Sequence, residues 1–138
     1  MFYVQGFYKI KRITNFNQYK DLLKKYLLSK FVKGTIILSP EGINGTIAGK
    51  KKDVKNCIEY IKDKFSIVSF DSYNTSICEF LPFYRAKVKV KKEVVPIGLK
   101  LKFNEKNKSC YVDPNHWNKL ISDKNVTLID VRKPFEHK

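Results

Sequence analysis

Apolar positions along the chain switch between a period near two and a period near 3.6, and each switch marks an element. Phe2 to Ile10 is an apolar run of strand character. Phe16, Tyr19, Leu22, Leu23, Tyr26 and Leu27 then recur at helical spacing, with Lys20, Asp21, Lys24 and Lys25 on the opposite face. Asn15 is placed to cap this helix, with Gln18 as its capping-box partner, and the helix is expected to end near Phe31. A β-rich run follows over residues 33–39. It leads through Pro40-Glu41-Gly42-Ile43-Asn44-Gly45 into Thr46-Ile47-Ala48-Gly49, which predicts a hairpin. Gly42 and Gly45 are candidates for positive φ in its turn. Val54, Cys57, Ile58, Ile61 and Phe65 define a second helix face, and residues 67–70 read as a fourth strand. The order βαββαβ predicts an α+β, ferredoxin-like sandwich with both helices on one sheet face and the other face open.

Residues 84–92 change the picture from fold to chemistry. Tyr84, Ala86, Val88 and Val90 alternate with Arg85, Lys87, Lys89 and Lys91, and Lys92 closes the run. Period two gives one apolar and one cationic strand face. Alternate residues lie roughly 6.7 Å apart, so the four charges span about 20 Å. Such a row is either an ordinary solvated sheet face, its lysines blocking edge-to-edge pairing, or a track for a polyanion such as a nucleic-acid backbone. Phe80, Phe83 and Tyr84 sit beside Arg85, and aromatic rings next to cations can stack unpaired bases. Each ring taken singly is equally a core candidate. Lys50, Lys51 and Lys52 form a second basic cluster; at a helix start they oppose the macrodipole, so that helix is expected to be poorly capped.

Charge supports the polyanion reading. Lys plus Arg number 28 against 13 Asp plus Glu, a net +15 over 138 residues. That excess projects a positive field whose usual partners are nucleic acid, anionic lipid or phosphorylated ligands. No helix pairs a basic face with exposed Trp and Phe, which disfavours lipid. No apolar run approaches the roughly 18 residues of a membrane span, and the first residues lack a leader pattern, so a cytoplasmic location is expected. Cys57, Cys78 and Cys110 form no C-x-x-C pair and have no histidine at metal-ligand spacing; reduced, non-catalytic thiols and no metal site are expected. His116 and His137 have no partner visible in sequence. Residues 99–110 are rich in lysine and read as a linker. Asp113-Pro114 then starts a helix with Trp117, Leu120 and Ile121 on its apolar face, and residues 126–132 read as a buried strand. A helix and one strand cannot bury each other's apolar faces, so this second unit is incomplete as it stands.

Four segments together resemble a known family. They are Lys33-Gly34-Thr35-Ile36-Ile37-Leu38 running into Glu41-Gly42-Ile43-Asn44-Gly45-Thr46; Pro82-Phe83-Tyr84-Arg85-Ala86-Lys87-Val88-Lys89-Val90-Lys91-Lys92-Glu93-Val94-Val95; Tyr111-Val112-Asp113-Pro114 with Trp117-Asn118; and Leu128-Ile129-Asp130-Val131-Arg132 followed by Glu136. Their content, order and spacing are similar to those of the rhodanese-related, oxygen-dependent tRNA uridine-34 hydroxylases. The resemblance implies an acylphosphatase-like domain over residues 1–98, a linker over 99–110 and the truncated start of a rhodanese domain over 111–138. It implies 5-hydroxylation of the wobble uridine, with the tRNA anticodon region as partner, molecular oxygen as co-substrate and no bound cofactor. The family's essential cysteine belongs to a loop downstream of the Asp-Val-Arg strand, beyond Lys138, so no catalytic residue is expected within these residues. The tRNA-binding candidates are then Arg85, Lys87, Lys89, Lys91 and Lys92, with Lys50, Lys51 and Lys52 as additions.

Three other functions compete. One is an RNA-binding module without chemistry. Another is simple sulfur transfer, which the Leu128 to Arg132 signature alone would suggest. The third is acylphosphatase activity, because Val4-Gln5-Gly6 with Lys9 loosely matches that family's phosphate loop. Acylphosphatase chemistry needs an Asn at the end of the strand beginning at Gly34, and Leu38 and Ser39 hold that place.

Overall fold

The computed structural model describes residues 1–93 and 112–130. The chain divides into two compact units, Met1–Leu99 and Lys100–Lys138. In the first unit the elements are β1 (Phe2–Ile10), α1 (Phe16–Ser29), β2 (Lys33–Ser39), β3 (Gly42–Gly49), α2 (Lys51–Phe65), β4 (Ser72–Cys78) and β5 (Ala86–Val90). The five strands form one sheet in the order β4-β1-β3-β2-β5. All neighbours are antiparallel except β2 and β5, which run parallel.

Both helices pack on one face of this sheet. Leu23 and Leu27 of α1 and Val54, Cys57, Ile58, Ile61 and Phe65 of α2 are buried against Phe7, Ile36, Leu38, Ile43, Ile47, Ala86 and Val88. The α2 face matches the periodicity residue for residue. The α1 face is narrower than its sequence suggests: Leu22 is exposed, while Phe16, Tyr19 and Tyr26 are half-buried and pack at the core's margin. Tyr26 stacks on Tyr60 of α2 with ring centroids 3.9 Å apart, which ties the two helices together.

Several local expectations are corrected. Asn15 adopts a left-handed conformation (φ 58) and makes no side-chain cap. A side-chain N-cap needs extended backbone at that residue. The Gln18 N–H instead donates to the Asn15 carbonyl at 3.0 Å. The hairpin forms, but its turn is only Pro40-Glu41, and Gly42 to Gly45 belong to β3. Gly42 has positive φ as expected; Gly45 does not. Gly45 is required by packing, since a Cβ there would lie 2.7 Å from the Phe7 ring. Lys50 caps α2 without a side-chain bond, as the basic run predicted.

The fourth strand lies later than residues 67–70. Ser66 turns left-handed (φ 49), and the Ile67 N–H folds back to donate to the Lys62 carbonyl at 2.8 Å. This ends α2 in a helix-closing motif that uses the apolar run as a plug rather than a strand. Ile67 is buried, and Phe70 packs on Phe7 and Tyr73 with ring centroids 5.3 and 5.6 Å apart. The true strand, Ser72–Cys78, sits at a sheet edge and is largely exposed on both faces, so burial imposes no alternation on its sequence. At the other edge β5 spans Ala86–Val90, shorter than residues 84–92, because the chain bends at Tyr84 and Arg85. The order is therefore βαββαββ.

In the second unit α3 covers Pro114–Ile121, with the Asp113 carboxylate accepting from the Asn115 N–H at 2.8 Å. Asp113 and Pro114 act there as the sequence predicted. Residues 126–130 are irregular, not strand. A strand exists only through a neighbour's hydrogen bonds, and no described residue supplies one; Leu128 and Ile129 stay exposed. The expectations for residues 99–111, including Cys110, and for 131–138, including His137, fall outside the described residues.

Gly34 sets the backbone crossing between β2 and its neighbours. Its φ is +138°, and a Cβ would meet the Thr46 carbonyl oxygen at 2.2 Å. Gly34→Ala is expected to lower stability by at least about 1–3 kcal/mol in urea denaturation. Gly6→Ala, whose Cβ would meet nothing nearer than 3.7 Å, is expected to stay close to wild type. Equal midpoints for the two variants would refute this account.

Candidate nucleic-acid interface

Strand register assigns every side chain to a face. Tyr3, Gln5 and Phe7, paired with Gly49, Ile47 and Gly45, point to the helices. The opposite face, which neither α1 nor α2 covers, is laid out in rows. One row runs Ser72, Tyr8, Asn44, Ile37 and Lys89 across β4, β1, β3, β2 and β5. The next runs Asn74, Gly6, Thr46, Thr35 and Lys87, and a third runs Ser76, Val4, Ala48 and Lys33. The middle strand of this face presents Asn44, Thr46 and Ala48, flanked by Val4, Tyr8 and Ile37, and lysines line the β2–β5 side. None of its strand positions carries a carboxylate.

The cationic candidates separate into groups. Lys87 and Lys89 lie on this face, each next to a β2 residue, Thr35 and Ile37 respectively. Arg85 precedes β5, and its carbonyl accepts from the Gly34 N–H at 3.2 Å. At the other end the Lys91 N–H donates to the Leu38 carbonyl at 2.9 Å, continuing the ladder one residue past the strand. Lys92 lies in the following bend and is exposed. Lys50, Lys51 and Lys52 are exposed at the start of α2, directly after the end of β3. The register sets Ala48 opposite Lys33 and Gly34 opposite Ala86, so this second cluster lies at the same end of the sheet as Arg85. Lys89 and Lys91 lie at the other end. Sequence spacing could not show this grouping.

Two cations near the end of α2 have structural roles. Lys9 pairs with Asp71 at 2.7 Å, and Lys11 donates to the Phe65 and Ser66 carbonyls at 2.8 and 2.7 Å, closing the C-terminus of α2. Among the described residues, Arg85, Lys87, Lys89 and Lys91 form no ion pair. Their charge is left to solvent and to whatever approaches the face. Beside them is a cleft of about 440 Å³ lined by Thr35, Pro82, Phe83, Tyr84, Arg85 and Lys87. Tyr84 was expected to share the apolar face with Ala86 and Val88, but the bend takes it out of alternation and leaves it 98% exposed.

Residues 2–94 match the family model described as the UPF0176 acylphosphatase-like domain. The chain belongs to the UPF0176 family. It is 50% identical over 137 residues to the tRNA uridine(34) hydroxylase of Pelagibacter ubique (strain HTCC1062), a match covering 99% of this chain and 45% of that protein. The chain thus spans about half the length of that curated relative. Among solved structures, BlrP1 BLUF is similar with a TM-score of 0.50 at 7% identity, covering 67% of this chain and 66% of that one. The acylphosphatase from Bacillus subtilis aligns with a TM-score of 0.45 at 10% identity, over 66% of this chain and 99% of that one. The fold is the acylphosphatase-like ferredoxin fold.

This UPF0176 domain lacks a phosphate cradle where the sequence match placed one. Val4-Gln5-Gly6 is mid-strand in β1, not in a loop. The Gln5 side chain is fully buried: its Nε2 donates to the Gly6 and Asn74 carbonyls at 2.9 and 2.8 Å, and its Oε1 accepts from the Thr75 hydroxyl at 2.9 Å. It stitches β1 to β4. Lys9 is held by Asp71, and Asn44 is a strand residue of β3 rather than a turn residue. His116 lies 4.0 Å from its own helix cap, Asp113, as a surface residue.

The thiols differ in environment. Cys57 is buried in the core, and burial, aided by the Asp53 carboxylate and opposed by Lys30, pushes its pKa from 9.0 up to about 12. It is protonated and unreactive at neutral pH. Cys78 is half-buried at the end of β4. With Cys78 and Cys110 replaced by serine, the native chain is expected not to react with Ellman's reagent at pH 8, and to release one equivalent on unfolding. Because the folded-state pKa lies above the unfolded one, the thiol's contribution to stability is complete below pH 9 and is lost as pH rises toward 12. Cys57→Ala should lack that alkaline component. Rapid labelling of the native protein would show the core to be open at Cys57.

Proposed function

We propose that this chain is the tRNA-gripping part of an enzyme that 5-hydroxylates the wobble uridine of tRNA, with molecular oxygen as co-substrate, in the cytoplasm. The observation that carries the reading is the sheet face left bare by both helices. It sets Lys33, Lys87 and Lys89 along one side, with no carboxylate among its strand positions, in a chain half identical to a tRNA uridine(34) hydroxylase. A row of unpaired cations on a rigid sheet meets successive phosphates without having to order flexible loops first. The tRNA anticodon region is the segment such a face would hold.

Hydroxylation itself is assigned to a rhodanese domain that begins near residue 111 and carries its cysteine beyond Lys138. Two features of the described residues support this. Cys57 is too buried, and its thiol too weakly acidic, to act as a thiolate. The Trp117, Leu120 and Ile121 face of α3 is exposed, as expected of an element whose sheet lies elsewhere. The fragment is accordingly proposed to bind tRNA without modifying it.

Unmodified tRNA binding by the 138-residue chain, followed against salt concentration, tests the assignment. Lys87→Ala and Lys89→Ala are each expected to flatten the slope of log K against log[salt] by roughly 0.7 to 0.9, similarly for different RNA sequences. Replacing Arg85, Lys87, Lys89 and Lys91 together by Glu should abolish binding with an unchanged circular dichroism spectrum. A folded quadruple variant that binds as wild type would remove this face as the RNA surface. Assay of the full-length protein with hypomodified tRNA and with thiosulfate separates hydroxylation from sulfur transfer.

A further inference from the structure

The segment between β4 and β5, residues 79–85, reads Glu79-Phe80-Leu81-Pro82-Phe83-Tyr84-Arg85. Five consecutive apolar residues in a loop would ordinarily serve as a plug for the core. Here three of them do not: Phe80 is 69% and Tyr84 98% exposed, and Pro82 is exposed as well, while Leu81 and Phe83 are half-buried. Single exposed apolar side chains are common and need no explanation. Rings gathered beside an unpaired guanidinium, at the rim of a cleft, do call for one.

The cleft wall combines three chemistries. Tyr84 and Phe83 offer π faces, Arg85 and Lys87 offer cations, and Thr35 offers a hydroxyl that can donate or accept. The volume, about 440 Å³, lies within the range of small-ligand sites, roughly 300–1,000 Å³. A purely apolar peptide would leave both cations without a counter-charge. A duplex would keep its bases stacked internally and could not reach the rings. A nucleotide outside a duplex satisfies all three at once: base on aromatic ring, phosphate on cation, ribose or base edge on hydroxyl. Arginine suits such a place because its planar fork can stack and pair with phosphate together. Lys33 and the Lys50–Lys52 cluster lie at the same end of the sheet, β3 being two strand spacings, about 10 Å, from β5. That places further cations where the neighbouring phosphates of the same strand would run.

We propose that this cleft is a pocket for one unpaired nucleotide of RNA, with Tyr84 and Phe83 stacking its base and Arg85 and Lys87 holding its phosphates. The pocket rests on the RNA-binding reading above and adds to it a preference for single-stranded over duplex RNA.

The 138-residue chain is titrated with two probes: a ten-nucleotide single-stranded uridine RNA carrying one 2-aminopurine, and an RNA duplex of the same length. Wild type is expected to bind the single strand more tightly and to change the 2-aminopurine fluorescence on stacking. Tyr84→Ala is expected to weaken single-strand binding roughly 5- to 150-fold, the loss of one base–aromatic stack, to abolish the fluorescence change and to leave duplex binding unaltered. Tyr84→Phe should retain both signals. Neither change touches the core, so thermal melting should not move. Unchanged single-strand affinity and fluorescence in Tyr84→Ala would overturn the pocket. If Lys87→Ala and Lys89→Ala still weakened both probes in that case, the broader RNA-binding reading would stand without it. Failure of wild type to bind either probe at low salt would overturn both. A Tyr84→Ala variant altered only in association with protein, its RNA binding intact, would assign the loop to a protein partner and overturn the pocket.

Discussion

Two amphipathic helices share one face of a five-stranded sheet, and the remaining features of the domain follow from that packing. The buried stripe of α2 and the inner residues of α1 cover Phe7, Ile36, Ile43 and Ile47. Burial of these side chains is the dominant favourable term available to a domain of this size. Because both helices lie on the same side, neither of them packs on the other face. It can therefore hold Thr35, Thr46, Asn44 and Asn74 in its middle and lysines along one side without loss to the core.

The same division governs charge. Where a cation is needed for architecture, it has a partner: Lys9 on Asp71, Lys11 on the carbonyls that end α2. On the face away from the helices, Lys87, Lys89 and Arg85 pair with no described carboxylate. A surface that repels itself in this way is held by the rigidity of the strands beneath it, and it is relieved when an anion arrives. The helices' acidic residues, among them Asp21, Asp53 and Glu59, lie on elements packed against the other side and do not neutralise it.

The acylphosphatase-like fold carries these features without the acylphosphatase-like loop. β1 runs straight through Val4-Gln5-Gly6, and the Gln5 amide is consumed in binding β4 to β1. A position that could have formed a phosphate cradle has become part of the sheet's internal hydrogen bonding.

Much of this was legible in the residues alone. The α2 face, the β2–β3 hairpin, the Asp113-Pro114 helix start and the alternation around Lys87 and Lys89 were all readable. Each is a local pattern, in which burial on one side imposes a period of 3.6 or two on neighbouring residues. The sequence was silent where local pattern and tertiary role part company. Residues 67–70 look like a strand but close a helix, because Ser66 turns left-handed and sends Ile67 back into the core. Residues 72–78 carry no pattern of their own but pair with β1, because an edge strand exposed on both faces has no burial period. Tyr84 looks like core, yet one bend before β5 puts it in solvent. The grouping of Arg85 with Lys33 and Lys50 to Lys52 depends on strand order, which hydrogen bonds between distant segments decide. The sequence by itself determined which residues could be buried and which must be charged. Only the tertiary structure decided which charges stand together, since that is set by long-range register and not by spacing along the chain.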